Sequence, residues 1–595
     1  MKIRRLCPLF LVGALALAQD SKLSKELSGV DPTHNVRIIV QFNRTPTVND
    51  HQKILKRGGN FRRELRLING GSYVLPASRL SELAADPNVA HISVDHAIEP
   101  KLDYTTSAIN AASAWNSSWD GTGIGVAVVD SGISPMPDLN SPQGASRIIY
   151  SEDFSGGNGF DAYGHGEHVA GIIAGNGASS SCATCTRSLN GVAPNANLIN
   201  LRVLDKNGQS SDAVVIAAID RAIQLKQTYN IRVLNLSLGR PVFESYTQDP
   251  LCQAVEAAWK AGIFVVVAAG NDGRNGYGTI SAPGNDPYVL TVGAMKAMST
   301  YTRSDDWIAS YSSLGPSLFD LVAKPDVVAP GNNVVSLLAP GQPTLAKEFP
   351  SNVVAPAYYG DTTTSTPHYL MLNGTSMAAA AVSGMAADIL QAQPALTPDQ
   401  LKFRLMLTSS KSFPTYSIAV DSSTGQAFTS YYDMLTRGAG YVDMAAVLAS
   451  NLNIPGPALS PRVLPTSSGN LALFPIPGSA FSVLPMFGQI WGASAVNGTA
   501  VNRGQQILPS LFQNTVTAVR AILASSGVLG TSGVLGTSGV LGTSGVLGTS
   551  GVLGSSGVLG SSGVLGSSGV LGSSGVLGDA SDSAESTKLI GIGEQ

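Results

Sequence analysis

The stretch GVAVVDSG at residues 125–132 is an unbroken apolar run that ends in an aspartate followed by Ser-Gly. Similar apolar runs occur further along the chain, at residues 197–204 (NLINLRVL), 232–239 (RVLNLSLG) and 263–271 (IFVVVAAGN). Helical patterns separate them, from residue 213 to 227 and around Val255. Continuous apolar strands that alternate with helices predict a parallel sheet buried on both faces. The sequence therefore predicts an α/β domain with a mostly parallel sheet.

Polar residues follow two of these runs directly. Asp130 and Asn271 each stand at the end of a run, and ligands of parallel sheets bind at the carboxyl ends of strands. Two further motifs complete a chemical set, YGHGEHVAG with His165 and NGTSMAAAA with Ser376. A serine nucleophile needs a base, an acid that orients the base, and donors for the developing oxyanion. These four residues supply all of those parts.

The chain order Asp, His, Ser is the order found in subtilisin and differs from the orders in chymotrypsin and the α/β-hydrolases. From about Trp115 to about Leu448 the chain resembles the subtilisin-like (subtilase, S8-type) serine endopeptidases. The resemblance implies a subtilisin-like three-layer domain. It also implies hydrolysis of internal peptide bonds through an acyl-enzyme on Ser376, with no cofactor required for the chemistry.

The resemblance assigns a role to each site residue. Asp130 orients the imidazole of His165, which acts first as base and then as acid. Asn271 donates its side-chain amide to the oxyanion together with the backbone N–H of Ser376, and an Ala-rich helix is predicted from Met377 to about Leu390. His168 is expected to be a buried structural neighbour. The walls that bind an extended protein or peptide substrate are expected at Ser237, Leu238, Gly239, Ala269 and Gly270.

Two positions depart from the family's pattern. Glu167 stands where the family usually has Thr, and Ala380 where it usually has Pro. A carboxylate in the first turn of a helix is favourable, and Ala is tolerated in a helix interior. Activity is therefore expected to survive, with a shifted pH profile as the expected effect of Glu167. The alternative functions are a catalytically inactive subtilase-fold protein for binding or surface attachment, and a serine esterase.

The N-terminus has the pattern of a secretory signal peptide at residues 1–18. A basic segment with Lys2, Arg4 and Arg5 precedes an apolar segment from Leu6 to Leu17, and Ala-Leu-Ala at 16–18 forms a cleavage site. The apolar segment is shorter than the roughly 20 residues that a membrane span needs. No later stretch predicts a transmembrane helix, so export from the cell is the expectation.

Residues 19–103 predict a small α+β unit of their own. The pattern indicates a strand at VRIIVQF, a largely helical stretch from Asp50 to Leu67, a strand at SYVLPA, a helix at SRLSELAAD and a last strand at VAHISVDHAIEP. This arrangement is similar to the ferredoxin-like inhibitory propeptide of subtilases. In that family the segment assists folding, occupies the substrate cleft and is removed by the enzyme itself, here between Ile98 and Ser107. A module that stays attached is the alternative.

The C-terminal part changes composition. We predict a catalytic domain at 104–450, a Pro/Gly/Ala-rich region at 451–526, GVLG(T/S)S hexapeptide repeats at 527–578 and a tail at 579–595. The repeats favour a flexible, elastin-like linker. A left-handed β-helix is the ordered alternative, which two glycines in every six residues disfavour.

Charge and cysteine content narrow the expected partners. With a net charge of −3 over 595 residues, the chain gives no electrostatic reason to bind nucleic acid or an anionic membrane.

Cys182 and Cys185 form a C-x-x-C in a small-residue loop, which predicts a local disulfide, because zinc would need two further ligands. The loop at 175–190 replaces the family's usual calcium-loop sequence. Structural calcium is therefore expected only at another site, whose position the sequence leaves unknown.

Overall fold

The computed structural model divides the chain into two compact units, residues 1–100 and 101–595. It describes residues 22–24, 27, 30, 32, 35–65, 68–94, 104–298, 300, 303–420, 426–465, 471–482 and 486–491. The predicted signal peptide, the repeats at 527–578 and the tail at 579–595 lie outside the described residues.

The first unit is a four-stranded antiparallel sheet with two helices, in the order strand, helix, strand, strand, helix, strand. Its strands pair in the order β2-β3-β1-β4. Buried side chains from β1, β3 and β4, among them Ile38, Leu75 and Ile92, form a core of its own. The elements are β1 Asn35–Phe42, α1 Val48–Leu55, β2 Asn60–Leu65, β3 Gly70–Pro76, α2 Leu80–Ala84 and β4 Val89–Val94.

The predicted helical stretch from Asp50 to Leu67 is only partly correct. The helix ends at Leu55, and residues 60–65 form a strand that pairs with β3. Gly58 has φ +79°, a conformation that ends a helix readily only in glycine, and a Cβ at Gly59 would lie 2.8 Å from the Ile54 side chain. Pairing with a neighbouring strand therefore overrides the local helical pattern. Residues 95–100 of the predicted last strand lie outside the described residues.

The second unit is built on an eight-stranded sheet with the order β11-β10-β9-β8-β5-β7-β6, in which β12 also pairs with β10. All pairings are parallel except that between β10 and β11. Every residue of β5, β9, β10 and β12 is buried, as a sheet covered on both faces requires. The strands are β5 Gly125–Asp130, β6 Ile148–Asp153, β7 Asn197–Arg202, β8 Ile231–Leu236, β9 Phe264–Ala268, β10 Leu290–Lys296, β11 Trp307–Ile308 and β12 Val327–Pro330.

Two pairs of helices pack on this sheet. Helices α6 and α7 contact each other and the strands β5, β8 and β9, whereas α5 and α9 contact each other and strands that include β5, β8, β9 and β10. The predicted α/β class with a mostly parallel sheet is confirmed. The helices of this unit are α3 Tyr104–Ala108, α4 Ala112–Trp115, α5 His165–Ala174, α6 Asp212–Leu225, α7 Pro250–Lys260, α8 Thr344–Glu348, α9 Thr375–Ala392, α10 Pro398–Thr408, α11 Met434–Arg437, α12 Met444–Ala449 and α13 Met486–Trp491.

Smaller sheets complete the unit. One has three strands, β13 Val334–Leu337, β14 Val353–Val354 and β15 Tyr369–Leu372, and two are hairpins, β16 Tyr416–Val420 with β17 Ala427–Tyr431 and β18 Arg462–Pro465 with β19 Leu471–Phe474. Val463, Leu473, Phe481 and Trp491 join the main hydrophobic core. Core packing therefore continues past residue 450, where the composition changes.

The cysteines and the helices bear on two sequence predictions. Cys182 and Cys185 are joined in a disulfide, as the C-x-x-C loop predicts, and Cys252 is a buried free thiol. Over the part of the chain that the structure describes, no helix combines the length and the apolar character needed to cross a membrane.

A buried ion cluster joins the sheet to α10. Lys324 Nζ lies 2.7 Å from Asp326 Oδ2 and Lys402 Nζ lies 3.6 Å from Asp326 Oδ1, and all three side chains are fully buried. Burial opposes the charge of Asp326, but the two lysines outweigh this effect and lower the pKa of its carboxyl. Burial lowers the pKa of Lys402 to about 7. Asp326 is thus, among the described residues, the carboxylate that forms an ion pair with both buried lysines.

We expect Asp326→Asn to destabilise the folded chain by about 3 kcal/mol or more, because it removes the carboxylate that pairs with the buried Lys324 and Lys402. The measurement is urea unfolding in a Ser376→Ala background, which removes the predicted nucleophile. Asp220→Asn is the matched control, since Asp220 is exposed on α6. A loss below about 1 kcal/mol, similar to that of the control, would contradict this assignment.

Candidate active site

The sheet edge where β5 ends holds a buried acid and a buried base. Asp130 is the last residue of β5, and His165 is the first residue of α5. His165 Nδ1 donates to Asp130 Oδ1 at 2.7 Å, and the backbone N–H of Ser131 donates to the same oxygen at 2.7 Å. Burial disfavours the imidazolium, but the Asp130 carboxylate outweighs it and raises the pKa of His165. The pair is therefore oriented so that Nε2 is the nitrogen left for chemistry.

A second buried carboxylate holds the start of α5. Asp161 Oδ1 accepts from the backbone N–H of Gly164 at 2.7 Å, and its Oδ2 accepts from that of Glu167 at 2.8 Å. Ser131 Oγ donates to Asp161 at 2.8 Å and accepts from Gly166 N–H at 2.8 Å. Asp161 satisfies donors that the helix terminus leaves open. The sequence analysis missed this residue, although an aspartate four positions before the helix-starting histidine was the available signal.

Glu167 and His168 are both fully buried in the first turn of α5. His168 Nε2 lies 3.0 Å from the carbonyl oxygens of Val334 and of Leu370. Burial and the neighbouring His165 lower the pKa of His168 to about 3, so its ring is neutral. This fits the predicted structural role for His168. Glu167 Oε2 accepts from the backbone N–H of Ser134 at 2.6 Å.

Ser376 is the second residue of α9, where the backbone N–H has no partner within the helix. Gly374, which precedes the helix, has φ +145°. Ser376 Oγ donates to the carbonyl of Ser237 at 3.0 Å, and the Ser376 carbonyl accepts from Ser237 Oγ at 2.9 Å. In the described part of the chain no hydrogen bond joins Ser376 Oγ to His165. A role as nucleophile would require this hydroxyl to leave the Ser237 carbonyl, and catalytic hydrogen bonds often form only when substrate is present.

Asn271 follows β9 and faces the start of α9. Its Oδ1 accepts from the backbone N–H of Thr375 at 3.0 Å and from Thr375 Oγ1 at 3.1 Å. This arrangement fixes the amide, and over the described residues its Nδ2 donates to no protein group. A Cβ at Gly374 would lie 3.4 Å from that nitrogen. Two donors, Asn271 Nδ2 and the N–H of Ser376, thus remain available at the helix start.

The predicted substrate-binding residues lie on two segments at the same sheet edge. Ser237 follows the last residue of β8, and Ala269 follows the last residue of β9, which is the neighbouring strand. A Cβ at Gly239 would lie 2.8 Å from Ser281 Oγ, and a Cβ at Gly270 would lie 3.0 Å from the same atom. Ser281 therefore stands between the two glycines. The sequence analysis did not identify it, because no motif marks it.

The sequence predicts structural calcium only outside the loop at residues 175–190. Among the residues that the structure describes, one group of three side chains has metal-ligating atoms close together: Cys182, Cys185 and Asp361, within 4.8 Å. The two sulfur atoms form a disulfide, whereas calcium takes oxygen ligands. This group does not fit calcium, so a calcium ion at some other site stays a prediction.

Comparison with known proteins supports the sequence resemblance. A family model described as "Subtilase family" (Peptidase_S8) matches residues 121–432. The chain is 37% identical over 338 residues to "Serine protease AprX" of Bacillus subtilis (strain 168). This alignment covers 55% of this chain and 71% of that protein. It is 32% identical over 411 residues to "Subtilisin NAT" of Bacillus subtilis subsp. natto, in an alignment that covers 67% of this chain and 92% of that protein.

A second model, described as "Collagen triple helix repeat (20 copies)", matches residues 525–586. The repeat GVLG(T/S)S places glycine at every third position, which is the collagen spacing. The predicted hexapeptide repeat, with its flexible linker or β-helix alternatives, did not include this spacing. The repeat contains no proline, the residue in which collagen is rich.

The pKa of His165 should lie above its ordinary value of about 6.5, because the Asp130 carboxylate stabilises the imidazolium. Asp130→Asn removes that charge while burial remains, so the pKa should fall below 6.5. The measurement is an NMR titration of histidine labelled with nitrogen-15, in a Ser376→Ala background. Glu244→Gln, which removes an exposed carboxylate, serves as the control. An unchanged His165 pKa in Asp130→Asn would show that the carboxylate does not control it.

Proposed function

The chain belongs to the subtilase family and is a serine endopeptidase that hydrolyses peptide bonds, and we propose that Ser376 is its nucleophile. The observation that carries this proposal is the buried pair of Asp130 and His165, with a hydrogen bond of 2.7 Å, at the sheet edge that the family's motifs predict. We further propose that the enzyme is exported and matures by cutting itself.

The first step is attack on the scissile carbonyl. Ser376 Oγ leaves the Ser237 carbonyl, turns toward His165 Nε2 and gives up its proton as it forms a bond to the carbonyl carbon. Asp130 stays ionised and stabilises the imidazolium through Nδ1. The raised pKa of His165 makes it a stronger base but leaves less of it neutral at mildly acidic pH.

The negative charge that develops on the carbonyl oxygen is stabilised by two donors. Asn271 Nδ2 and the backbone N–H of Ser376 are both free of protein acceptors within the described residues. The oxygen also meets the positive end of the α9 dipole. Because Thr375 holds Asn271 Oδ1 in place, the amide is oriented before the substrate arrives.

Collapse of the tetrahedral intermediate breaks the C–N bond. His165 then gives its proton to the leaving amine, and an acyl-enzyme ester on Ser376 remains. Water, deprotonated by the same His165, hydrolyses this ester and regenerates the hydroxyl.

Substrate recognition is proposed for the two segments that follow β8 and β9. An extended peptide would pair with the backbone of Ser237–Leu238–Gly239 and of Ala269–Gly270, in the manner of a strand added to a sheet edge. The side chain before the cut bond would enter between Gly239 and Gly270 and point toward Ser281. The absence of a Cβ at both glycines lets Ser281 approach these two segments closely.

Export and self-processing are proposed from the N-terminal sequence. The basic and apolar segments with Ala-Leu-Ala at 16–18 support a signal peptide. The strand and helix order of residues 35–94 supports a propeptide that inhibits its own enzyme. The inactive binding protein remains the second candidate, because Ser376 Oγ contacts Ser237 rather than His165.

Asn271→Leu should lower kcat by about 10² to 10³ with little change in KM, because it removes a donor that acts on the developing charge. This magnitude is taken from the corresponding donor in subtilisin. Hydrolysis of a chromogenic peptide measures both constants. Asn207→Leu, at an exposed loop position, is the matched control. A rise in KM without a loss in kcat would contradict the oxyanion role.

Purified wild type should begin between residues 99 and 107, whereas Ser376→Ala should keep its N-terminal unit, because only the wild type can cut itself. Intact mass and N-terminal sequencing measure this difference. Mixing a trace of active wild type with the variant tests whether the bond is also cut between molecules. If both proteins keep the N-terminal unit under folding conditions, the inactive binding protein becomes the leading interpretation.

A further inference from the structure

Two buried carboxyl groups stand beside the catalytic pair at the start of α5. Asp161 and Glu167 are both buried, and Glu167 is fully enclosed. No lysine or arginine among the described residues forms an ion pair with either of them. Glu167 N–H donates to Asp161 Oδ2 at 2.8 Å, so the two residues are direct neighbours.

The two carboxyls differ in the donors they receive. Asp161 accepts four hydrogen bonds, one from the Ser131 hydroxyl and three from backbone N–H groups at the helix start. Glu167 interacts only with Ser134, through its backbone N–H and its hydroxyl, and the Oε1 of Glu167 is buried with no hydrogen-bond partner in the described part of the chain. Donors stabilise a carboxylate, whereas a buried oxygen without donors disfavours charge.

Ionising two adjacent buried carboxyl groups costs much free energy, because the two negative charges repel each other in a poorly solvated site. The carboxyl group that receives more hydrogen-bond donors therefore carries the charge. Asp161 is therefore the anion, and Glu167 holds the proton. Burial, together with Asp161 and Asp138, raises the pKa of Glu167 well above its ordinary value. Burial raises the pKa of Asp161 as well, but its donors act in the opposite direction.

Glu167 is connected to the catalytic pair through the loop that follows Asp130. It binds Ser134 N–H, and Ser134 Oγ accepts from the backbone N–H of Asp161 at 3.1 Å. Ser131, at the other end of that loop, links Asp161 to Asp130. Glu167 thus holds the loop at 131–134 through Ser134, and among the described residues no hydrogen bond joins Glu167 to His165.

We propose that Glu167 is a positioning residue that works as a neutral acid, and that its ionisation sets the alkaline limit of activity. This inference rests on the proposed role of His165. As pH rises, ionisation would place a second buried negative charge beside Asp161 and loosen the loop that carries Asp130. The native state holds a proton that the unfolded chain loses near its ordinary pKa, so stability falls as pH rises above that value.

The charged and titratable groups around Glu167 come from four elements. They are Asp130 at the end of β5, Asp138 in the turn at 137–139, Asp161 in the loop before α5, and His165 and His168 on α5 itself. Strand β13 and the first three turns of α9, which pack on α5, contribute no titratable side chain. Strand β7 also packs on α5 and carries Arg202, whose side chain pairs with Asp153. Arg147 donates to the backbone carbonyl of Asp138.

The test compares pH profiles of kcat/KM for wild type, Glu167→Gln and the exposed control Glu244→Gln. Glutamine keeps the acceptor for Ser134 N–H but cannot ionise. We expect the acid limb, which reports His165, to coincide in all three proteins. The alkaline limb should move up by about one unit or more only in Glu167→Gln. Labelling of Ser376 by a phosphonofluoridate normalises each profile to the amount of active enzyme.

Two results would overturn the inference. If Glu167→Gln lowers the acid-limb pKa by about one unit, Glu167 was a negative charge near His165 rather than a neutral acid. If its alkaline limb coincides with that of wild type, ionisation of Glu167 does not set the limit. By contrast, a wild type that is neither labelled on Ser376 nor active would mean that the proposed function itself has failed.

A second measurement uses wild type alone, in case Glu167→Gln does not fold. Within the described residues Glu167 is the one buried glutamate. Carbon-13 NMR of glutamate-labelled protein should therefore show a single carboxyl that is still protonated at pH 7 and titrates together with the alkaline limb. The inference is wrong if every glutamate carboxyl in that spectrum has titrated by pH 7.

Discussion

The hydrogen bond between Asp130 and His165 is the interaction on which the rest of the site depends. The carboxylate of Asp130 and the imidazole of His165 are both buried, one at the end of a strand and the other at the start of a helix. A buried charged pair is stable only when its geometry is fixed, because the attraction between the two groups must offset their lost hydration. The fully buried β5 fixes Asp130, and Asp161 fixes the helix that begins with His165. The parallel sheet then places the segments after β8 and β9 at the same edge, where Asn271 meets the start of α9.

The catalytic unit could be predicted largely from sequence, because its signals are local and physically constrained. Buried parallel strands must be continuously apolar, and an Asp or Asn at their ends stands out. Residues that act through tertiary contact gave no such signal. Ser281 is an ordinary loop serine until folding places it between Gly239 and Gly270, and β2 was hidden because its pairing with β3 overrides a helical pattern.

Glu167 shows how the same departure from a motif can be interpreted differently before and after folding. In the sequence it is a helix-start carboxylate, a position where a negative charge is favourable. In the structure it is enclosed next to Asp161, which already satisfies the N–H donors at the start of the helix. The favourable interaction with the helix dipole is therefore made by Asp161, and the second carboxyl is better accommodated as a neutral acid.

Site-mapped labelling with a phosphonofluoridate tests the central claim most directly. Protein that lacks the N-terminal unit is treated with the reagent, digested and analysed by mass spectrometry, and His165→Ala, cut beforehand by a trace of wild type, is treated in parallel. The account predicts one adduct per chain, on Ser376, and a labelling rate that falls by several orders of magnitude in His165→Ala. An adduct on a different serine, or equal labelling of Ser376 in both proteins, would contradict a serine activated by the pair of Asp130 and His165.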